Sequence, residues 1–346
     1  LSIDENVWIR QGDSTVYGSH MAYSGTEKTS VPLGANPSQS DYATVFKHGW
    51  DLGYGFDYTW NGTSDNLWSN DENWESQIAP GLTAKTLGAD VTIPGGKTNY
   101  PNVDKDGITV KNLTLGSPLE RDASLTLPGT ASLTVTDSLA NYGTVDYAST
   151  GRITNGTSPI NDTANSGTVL YSGGTSENSQ IVTKFYDSEA DYANLAISGN
   201  AVLDGTIVAD GNFTLTADLA GSGKSLHVKG ESFIDSCSIS GAENLTFDGN
   251  LTLSGAAALS ANETLTLKAN ATGGSLLSLT GNYVILQGNV DTNGNFSVNG
   301  TSAILYGDLK SVGSQAYNAS VTFSGNSILT SSTDKKIDFA SDVTID

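Results

Sequence analysis

The fold is decided by three short segments in the second half of the chain: Asn244-Leu-Thr-Phe247, Asn250-Leu-Thr-Leu253 and Glu263-Thr-Leu-Thr-Leu267. In each segment apolar and polar residues alternate, which is the period of a β-strand that buries one of its two faces. Gly, Asn, Asp and Ser separate the segments and favour tight turns. Leu245 and Phe247 recur as Leu265 and Leu267, twenty residues further along. Units of about 20 residues that hold two or three short strands are typical of a solenoid repeat.

The same alternation recurs along most of the remaining chain. Other segments with this pattern are Asn112-Leu-Thr-Leu115, Ser124-Leu-Thr-Leu127, Ser132-Leu-Thr-Val135, Asn194-Leu-Ala-Ile197, Asn212-Phe-Thr-Leu215, Tyr283-Val-Ile-Leu286, Asn295-Phe-Ser-Val298, Ala303-Ile-Leu-Tyr306 and Ser320-Val-Thr-Phe323. A unit this short cannot close a hydrophobic core by itself, so successive units have to stack. The pattern continues from about residue 108 to residue 346 without a linker, and none of the 8 prolines lies after Pro159.

Two all-β folds are compatible with such strands. In a parallel β-helix each strand pairs with its equivalent in the next coil, about 4.8 Å away. In tandem β-sandwiches, the alternative, strands pair antiparallel through hairpins within domains of about 100 residues. The uninterrupted pattern favours a parallel β-helix, or β-solenoid, over residues 108–346. Because all five Trp lie between Trp8 and Trp74, we predict a Trp-rich cap over residues 58–107. Residues 1–57 are then an N-terminal β segment or small domain whose role the sequence leaves open.

The composition excludes several classes of protein. Gly (39), Ser (42), Thr (39) and Asn (28) together make up about 43% of the 346 residues, and the formal net charge is −21. A nucleic-acid-binding protein needs clustered Lys and Arg, and no basic stripe occurs here. A membrane-spanning helix needs about 18 consecutive apolar residues, and no such run occurs. We therefore predict no nucleic-acid partner and no membrane insertion.

Cysteine usage and the first residues say little about location. Cys237 is the only cysteine, so no intrachain disulfide can form. A large β-structure can be secreted without one. The chain begins at Leu1 without a charged-then-apolar leader, which suggests a mature or trimmed segment. The run Gly18-Ser-His-Met21 matches the scar of an expression vector, so no function is inferred from His20.

A recognisable block of motifs lies between residues 58 and 115. Its parts are Trp60-Asn-Gly62, Trp68-Ser-Asn70, Glu72-Asn-Trp74, Ala79-Pro80, Ala89-Asp-Val-Thr-Ile-Pro94, Tyr100-Pro101 and Val110-Lys-Asn-Leu-Thr-Leu115. This block resembles the segment that opens many repetitive, secreted β-solenoid surface proteins of Gram-negative bacteria. The segments that follow it are similar to filamentous-haemagglutinin-like and autotransporter-passenger repeats.

The resemblance implies a large extracellular or cell-surface protein that serves adhesion, surface coating or self-assembly. Such families share no catalytic set, so no catalytic or cofactor-binding residue carries over. Within the block, we expect Trp60, Trp68 and Trp74 to pack over the open end of the first coil and shield its strand edge. We expect Asp90 to hydrogen-bond a turn just before the strand Val91–Ile93.

Two segments carry oxygen-bearing side chains at alternate positions, as a calcium loop does at its start: Asn102-x-Asp104-x-Asp106-Gly107 and Asn289-x-Asp291-x-Asn293-Gly294. The twelfth positions are Leu113 and Gly300, where a calcium loop has a bidentate Glu. Turns rich in Asn and Asp are the simpler interpretation. No cofactor is predicted, and calcium is the candidate that these two segments leave open.

Sequons of the form Asn-x-Ser/Thr are frequent in the chain. They include Asn61, Asn112, Asn155, Asn161, Asn212, Asn244, Asn250 and Asn262. An Asn at a turn followed by a Thr in a strand generates such a sequon from composition alone, so glycosylation is not inferred.

A catalytic role is the less favoured interpretation. Many β-helices cleave acidic polysaccharides with clustered carboxylates and a basic residue, and Asp204, Asp210 and Asp218 fall in successive turns. No Arg follows Arg152, however, and an acidic surface repels an anionic polymer. His227 lies in a strand pattern and is expected to be exposed rather than catalytic. The alternation of aromatic residues from Trp50 to Trp60 favours core or interface packing over a sugar platform.

We therefore expect a non-catalytic, secreted bacterial surface protein. Its stiff solenoid would present binding surfaces or assemble end to end, and its partners would be other copies of itself or a host or cell surface. Few Lys are available to block strand edges, which is consistent with assembly. The alternative is a carbohydrate-active β-helix, a polysaccharide lyase or hydrolase, or a sugar-binding module.

Overall fold

The structure is a computed structural model that describes residues 23–24, 27–28, 57–82, 88–187, 189–332 and 334–346. The aromatic segment that begins at Trp50, the run Gly18–Met21 and most of the predicted N-terminal segment, residues 1–57, lie outside the described residues. Two strands, β1 (Tyr23–Ser24) and β2 (Glu27–Lys28), form a small antiparallel pair.

One side of the first coils is a five-stranded parallel sheet. Its members, in spatial order, are β3 (Asp57–Thr59), β4 (Asp90–Ile93), β5 (Ile108–Leu115), β7 (Ser132–Asn141) and β9 (Arg152–Thr154). A single 3-10 turn, η1 (Asp71–Asn73), lies between β3 and β4.

A second, eleven-stranded parallel sheet runs along most of the molecule, and we call it the long sheet. Its strands are β6 (Ser124–Thr126), β8 (Thr144–Tyr147), β10 (Thr168–Tyr171), β12 (Asn194–Ile197), β15 (Phe213–Leu215), β18 (Ser232–Asp235), β20 (Leu251–Ser254), β22 (Ala271–Gly273), β24 (Val290–Thr292), β26 (Leu309–Ser311) and β28 (Leu329–Ser331).

The third sheet has twelve strands and begins where the five-stranded sheet ends. Its strands are β11 (Gln180–Val182), β13 (Ala201–Leu203), β14 (Ile207–Ala209), β16 (Leu219–Ala220), β17 (Leu226–Val228), β19 (Ser238–Phe247), β21 (Ala256–Leu267), β23 (Leu276–Leu286), β25 (Asn295–Leu305), β27 (Gln315–Phe323), β29 (Ile337–Phe339) and β30 (Val343–Ile345). In β19, β21, β23, β25 and β27 two short strands merge into one long strand. The β19–β21, β21–β23 and β25–β27 pairings have a register shift near the point where the two parts join.

The coils stack so that the three large sheets form the sides of a β-solenoid of about 13 turns. The predicted parallel β-helix is thereby confirmed, and the tandem β-sandwiches are excluded because the strands of all three large sheets pair parallel. β3 and β4 pair in the same sheet as β5, so the segment with the Trp motifs is itself wound into coils.

The core consists of apolar side chains stacked in columns. Leu245 of β19 pairs with Leu265 of β21, and Phe247 pairs with Leu267, as the sequence spacing predicted. All four side chains are buried. Burying each of them stabilises the coil by about 1.5–3 kcal/mol relative to leaving it exposed.

The coils differ in length along the molecule. In the long sheet Thr144 pairs with Thr168, and Thr168 pairs with Asn194. The chain is longer between the members of these two pairs than between Leu195 and its partner Phe213. From Leu195 onward, successive coils of this sheet repeat at about 20 residues. The predicted repeat length is therefore that of the second half, whereas two earlier coils contain insertions.

A column of close backbone contacts sets the turns before three successive strands of the long sheet, β15, β18 and β20, where Gly211, Gly230 and Gly249 stand. A Cβ atom on Gly249 would overlap the carbonyl oxygen of Gly230, and one on Gly230 would lie 2.5 Å from that of Gly211. No real side chain tolerates such an approach, so these turns need glycine at this position.

Candidate functional site

The three Trp of the motif block form one buried cluster. Trp60, Trp68 and Trp74 are all 0% exposed. The ring of Trp74 contacts the edges of both others, with centroids 5.0 Å from Trp60 and 4.9 Å from Trp68. Each indole N–H donates to a backbone carbonyl: that of Trp60 to Asn99, that of Trp68 to Pro80 and that of Trp74 to Trp68. The cluster fills the interior of the first described coil, and its hydrogen-bonding groups are satisfied within the chain.

The Asn of the Glu72-Asn-Trp74 motif anchors the loop between Trp60 and Trp68. Asn73 is fully buried, and its side-chain oxygen accepts the backbone N–H groups of Ser64 and Asp65. Its amide donates to the Asp65 carboxylate and to the Leu67 carbonyl. The backbone N–H of Leu67 and neighbouring amides in turn hold the pKa of Asp65 below its usual value. These contacts show that Asn73 fixes the conformation of the loop between Trp60 and Trp68.

Asp90 is the first residue of β4 and contacts the next coil. Its carboxylate accepts a hydrogen bond at 2.6 Å from the side chain of Asn112, which is its register partner in β5. Asn112 then accepts from the backbone and hydroxyl of Ser138, one coil further. One partner of Asp90 is thus a stacked side chain. Residues 83–87 before the strand lie outside the described residues, and the predicted hydrogen bond to the preceding turn stays a prediction.

The first candidate calcium segment joins two coils. The Asp104 carboxylate accepts from the backbone N–H of Ser69 at 2.9 Å and from its hydroxyl. The Asn102 backbone bridges Leu67 on one side and Thr126 on the other. Asp106 is exposed at the turn before β5. The Asp104 oxygens therefore already have partners within the chain.

In the second candidate segment, two of the three side chains also have partners. The Asn289 oxygen accepts from the Asp308 backbone at 2.9 Å, and Asp291 forms an ion pair with Lys310 at 2.8 Å. Asn293 is exposed, and its backbone N–H donates to the carbonyl of Gly274. Among the described residues no group of three or more His, Cys, Asp or Glu side chains could hold a metal ion. Calcium binding stays a prediction.

The carboxylates considered for lyase chemistry are each engaged separately. Asp204 accepts from the Lys184 backbone, Asp210 pairs with Lys229, and Asp218 accepts from Ser238. Each of these contacts ties one coil to the next. The three carboxylates therefore serve as links along the stack.

A polar cluster of three side chains lies one coil further along. Asp248 is hydrogen-bonded to His227 at 2.9 Å and forms an ion pair with Lys268 at 2.8 Å. Burial raises the pKa of Asp248, but the hydrogen bonds from Lys268 and His227 outweigh it and hold that pKa below its usual value. His227 is thus held by a carboxylate at the strand surface.

Sequence reasoning missed a buried polar region between the five-stranded and the twelve-stranded sheet. We call it the junction and define it by Tyr147, Arg152, Tyr171, Gln180, Asp191 and Tyr192. The guanidinium carbon of Arg152 lies 5.0 Å from the ring centroid of Tyr147 and 5.5 Å from that of Tyr171. The hydroxyls of Tyr171 and Tyr192 are hydrogen-bonded at 2.7 Å. Burial raises the pKa of all three tyrosines.

Backbone groups supply most of the remaining partners in the junction. Arg152 donates to the carbonyls of Ser149, Gly151 and Ile181. The buried Gln180 side chain donates to the Tyr147 carbonyl. The fully buried Asp191 carboxylate accepts three backbone N–H groups, from Phe185, Tyr186 and Val208. Side chains of the junction therefore bind backbone groups where the five-stranded sheet ends and the twelve-stranded sheet begins, in place of the hydrogen bonds that a neighbouring strand would supply.

In the second half of the chain, polar side chains at the beginnings of the strands of the long sheet form a ladder. In each rung a side-chain oxygen accepts the backbone N–H of the equivalent residue in the next coil, at 2.9–3.2 Å. The accepting residues are Asn194, Asn212, Asn250, Asn270, Asn289 and Asp308. We call this set the side-chain ladder. It gives a structural reason for the recurrent Asn at these turns, several of which open the sequons noted above.

Comparison with family models, with curated proteins and with solved structures finds no match to this chain. Within the described part, no helix is long and apolar enough to cross a bilayer. The family resemblance of residues 58–115 therefore remains a matter of motifs, while the solenoid itself is shown.

Proposed function

We propose that this chain is a non-catalytic structural rod of a secreted bacterial surface protein, which spaces or presents binding surfaces outside the cell. The observation that carries the proposal is the unbroken long sheet, in which eleven parallel strands stack in one direction. Buried apolar columns link each coil to the next, and the side-chain ladder adds links between coils in the second half of the chain, so we expect the rod to resist bending.

The polar side chains support a structural role as well. Those of Asp90, Asp104, Asp204, Asp218 and Asn289 each contact a neighbouring coil. A group whose oxygens are already used in stacking has less freedom to bind a substrate or a metal ion. The motif block, with its resemblance to secreted surface proteins of Gram-negative bacteria, supports the extracellular location. Other copies of the chain, or a host or cell surface, are the proposed partners.

Small-angle scattering and negative-stain electron microscopy of the whole chain test the rod. About 13 turns at about 4.8 Å each predict a rod close to 60 Å long, with any end-to-end assembly adding multiples of that length. A globular particle would contradict the proposal. Antibodies against the purified chain should label intact cells that produce it, and labelling only after permeabilisation would contradict the extracellular location.

A further inference from the structure

The outward face of the long strands of the twelve-stranded sheet carries an exposed apolar patch. We call it the tyrosine patch, and it consists of Tyr283, Ile285, Ile304 and Tyr306. Tyr283 is 48% exposed and Tyr306 is 45% exposed. Among the described residues, the other large apolar side chains exposed to this extent are aliphatic.

The strand register places the four side chains side by side. Ile285 of β23 pairs directly with Ile304 of β25, and Tyr283 pairs with Ser302. The Tyr306 backbone N–H donates to the carbonyl of Leu286 at 2.9 Å, so the ladder continues one residue past β25. Tyr283 and Tyr306 thus stand at opposite corners of the patch, with the two Ile between them. Four residues along a strand and one step between strands separate them by about 14 Å.

A rim of hydroxyl side chains surrounds the tyrosine patch. Thr266 stacks on Ile285, and Thr322 stacks on Ile304. Thr264 and Ser302 flank Tyr283 in the same way. β23, β25 and β27 contain no charged residue, although the chain as a whole carries a formal charge of −21. The face is therefore apolar at its centre and hydroxyl-bearing at its rim. Charges occur only on its β21 side, where Glu263 precedes Thr264 and Lys268, paired with Asp248, follows Thr266.

Size and charge decide between the possible occupants. From β21 to β27 the patch and its rim span three steps between strands, each of about 4.8 Å, and about 13 Å along the strands. The surface they cover is about 200 Å². A stable protein interface needs about 800 Å² per partner, so the patch is too small for a second copy of the chain. β21, β23, β25 and β27 contain no Lys or Arg, and the adjoining Lys268 is paired with Asp248, so the patch offers no unpaired cation to an anionic polymer. A narrow, neutral ligand with apolar faces and hydroxyl edges matches both the centre and the rim.

We propose that the tyrosine patch binds a neutral polysaccharide chain, whose sugar rings lie on Tyr283 and Tyr306 and whose hydroxyl groups meet the Thr and Ser rim. This proposal goes beyond the structural rod and does not depend on it. The rod is tested by the shape of the particle, whereas the patch is tested by polysaccharide binding. The aromatic rings supply contact area at low cost in conformational entropy, and the rim supplies hydrogen bonds.

Affinity electrophoresis in native gels tests the binding site. The probes are a β-1,3-glucan, a β-1,4-glucan, an α-1,6-glucan, a mannan and a xylan, with alginate as an anionic polymer. We expect at least one neutral polymer to retard the intact chain and alginate to leave its mobility unchanged. Tyr283→Ala and Tyr306→Ala should each weaken that binding about tenfold, which corresponds to about 1.4 kcal/mol, while Tyr283→Phe retains most of it.

The matched control is Phe233→Ala. Phe233 is 37% exposed but lies on the outward face of the long sheet, so its loss should leave binding unchanged. Circular dichroism and the unfolding midpoint show that each variant is folded. Unchanged mobility of the wild type in all five neutral polymers overturns the proposal. So does equal weakening by Phe233→Ala, or concentration-dependent self-association that Tyr283→Ala abolishes, since that would make the patch a protein interface.

Discussion

The junction and the regular coils that follow it differ in how the backbone groups of neighbouring coils are hydrogen-bonded. After Asn194 each coil repeats at about 20 residues, and successive strands are linked by backbone ladders and a side-chain ladder. At the junction the coils from Thr144 to Thr168 and from Thr168 to Asn194 are longer. The long sheet continues through them, but the five-stranded sheet ends and the twelve-stranded sheet begins. There the buried Asp191 and Gln180 and the Arg152 guanidinium bind the backbone groups that the change of sheet leaves without strand partners.

The difference teaches where stability is spread and where it is concentrated. In the regular coils each contact has an equivalent one coil away, so the loss of one contact is a small part of a sum over repeats. At the junction single side chains satisfy several buried backbone groups, and no repeat supplies a substitute. Removing one of those side chains should therefore cost more than removing a rung of the side-chain ladder.

The largest effect is expected for Asp191→Ala at the junction. Its fully buried carboxylate accepts three backbone N–H groups, which the variant leaves buried without partners. We expect a loss of about 4 kcal/mol in the free energy of unfolding. Urea unfolding followed by circular dichroism measures it. Asp218→Ala is the control, because the exposed Asp218 accepts from a single residue, and about 1 kcal/mol is expected. Equal losses would remove the contrast between the two regions.

Leu265→Ala tests the core of the regular coils. Leu265 is fully buried between Leu245 and Val284, so the cavity should cost about 3 kcal/mol. No Trp follows Trp74, so Trp fluorescence reports the first 74 residues and circular dichroism reports the whole chain. In a quasi-one-dimensional fold we expect circular dichroism to change at lower urea than fluorescence in this variant. The outward Thr266→Ala should leave both probes unchanged, and coincident transitions in Leu265→Ala would show that the solenoid unfolds as one unit.

Asn270→Ala removes one rung of the side-chain ladder. The Asn270 oxygen accepts from the Asn289 backbone at 2.9 Å, and water can replace it because the site is exposed. We expect a loss of about 1 kcal/mol in the free energy of unfolding. Asn262→Ala is the matched control, since Asn262 also opens a sequon but is exposed where the two halves of β21 meet. A loss as large as that of Asp191→Ala would contradict the idea that the regular coils share their stability among repeats.

The smallest effect concerns pH and the cluster of His227, Asp248 and Lys268. Because the pKa of Asp248 is lowered in the folded state, the stabilisation is present above the unfolded pKa of about 3.9 and is lost as the pH falls through the folded pKa. Asp248→Asn should therefore cost about 0.5 kcal/mol at pH 7 and nothing near pH 2. Urea midpoints at both pH values measure this. A difference that persists at pH 2 would contradict the ion-pair account.

The regular coils could be predicted from the sequence in some detail, and the candidate sites could not. Leu245 and Leu265 revealed both the strands and the repeat, because burial of one strand face requires alternation. The exact register could not be predicted, because Tyr283 pairs with Ser302 and Leu265 with Val284, which makes these two coils one residue shorter than the predicted 20. Asp191 gave no signal, because its partners are backbone N–H groups that carry no sequence pattern.

The sequence by itself determined that the chain folds into β-strands, that the strands repeat at a near-constant spacing and that the units must stack. Those properties depend on alternation and turn residues, which are local. Only the tertiary structure decided where one sheet replaces another, which carboxylates link neighbouring coils and which outward positions meet. The tyrosine patch shows why: Ile285 and Ile304 lie a whole coil apart along the chain and are adjacent in register. A change of one residue in any turn between them would place different side chains together.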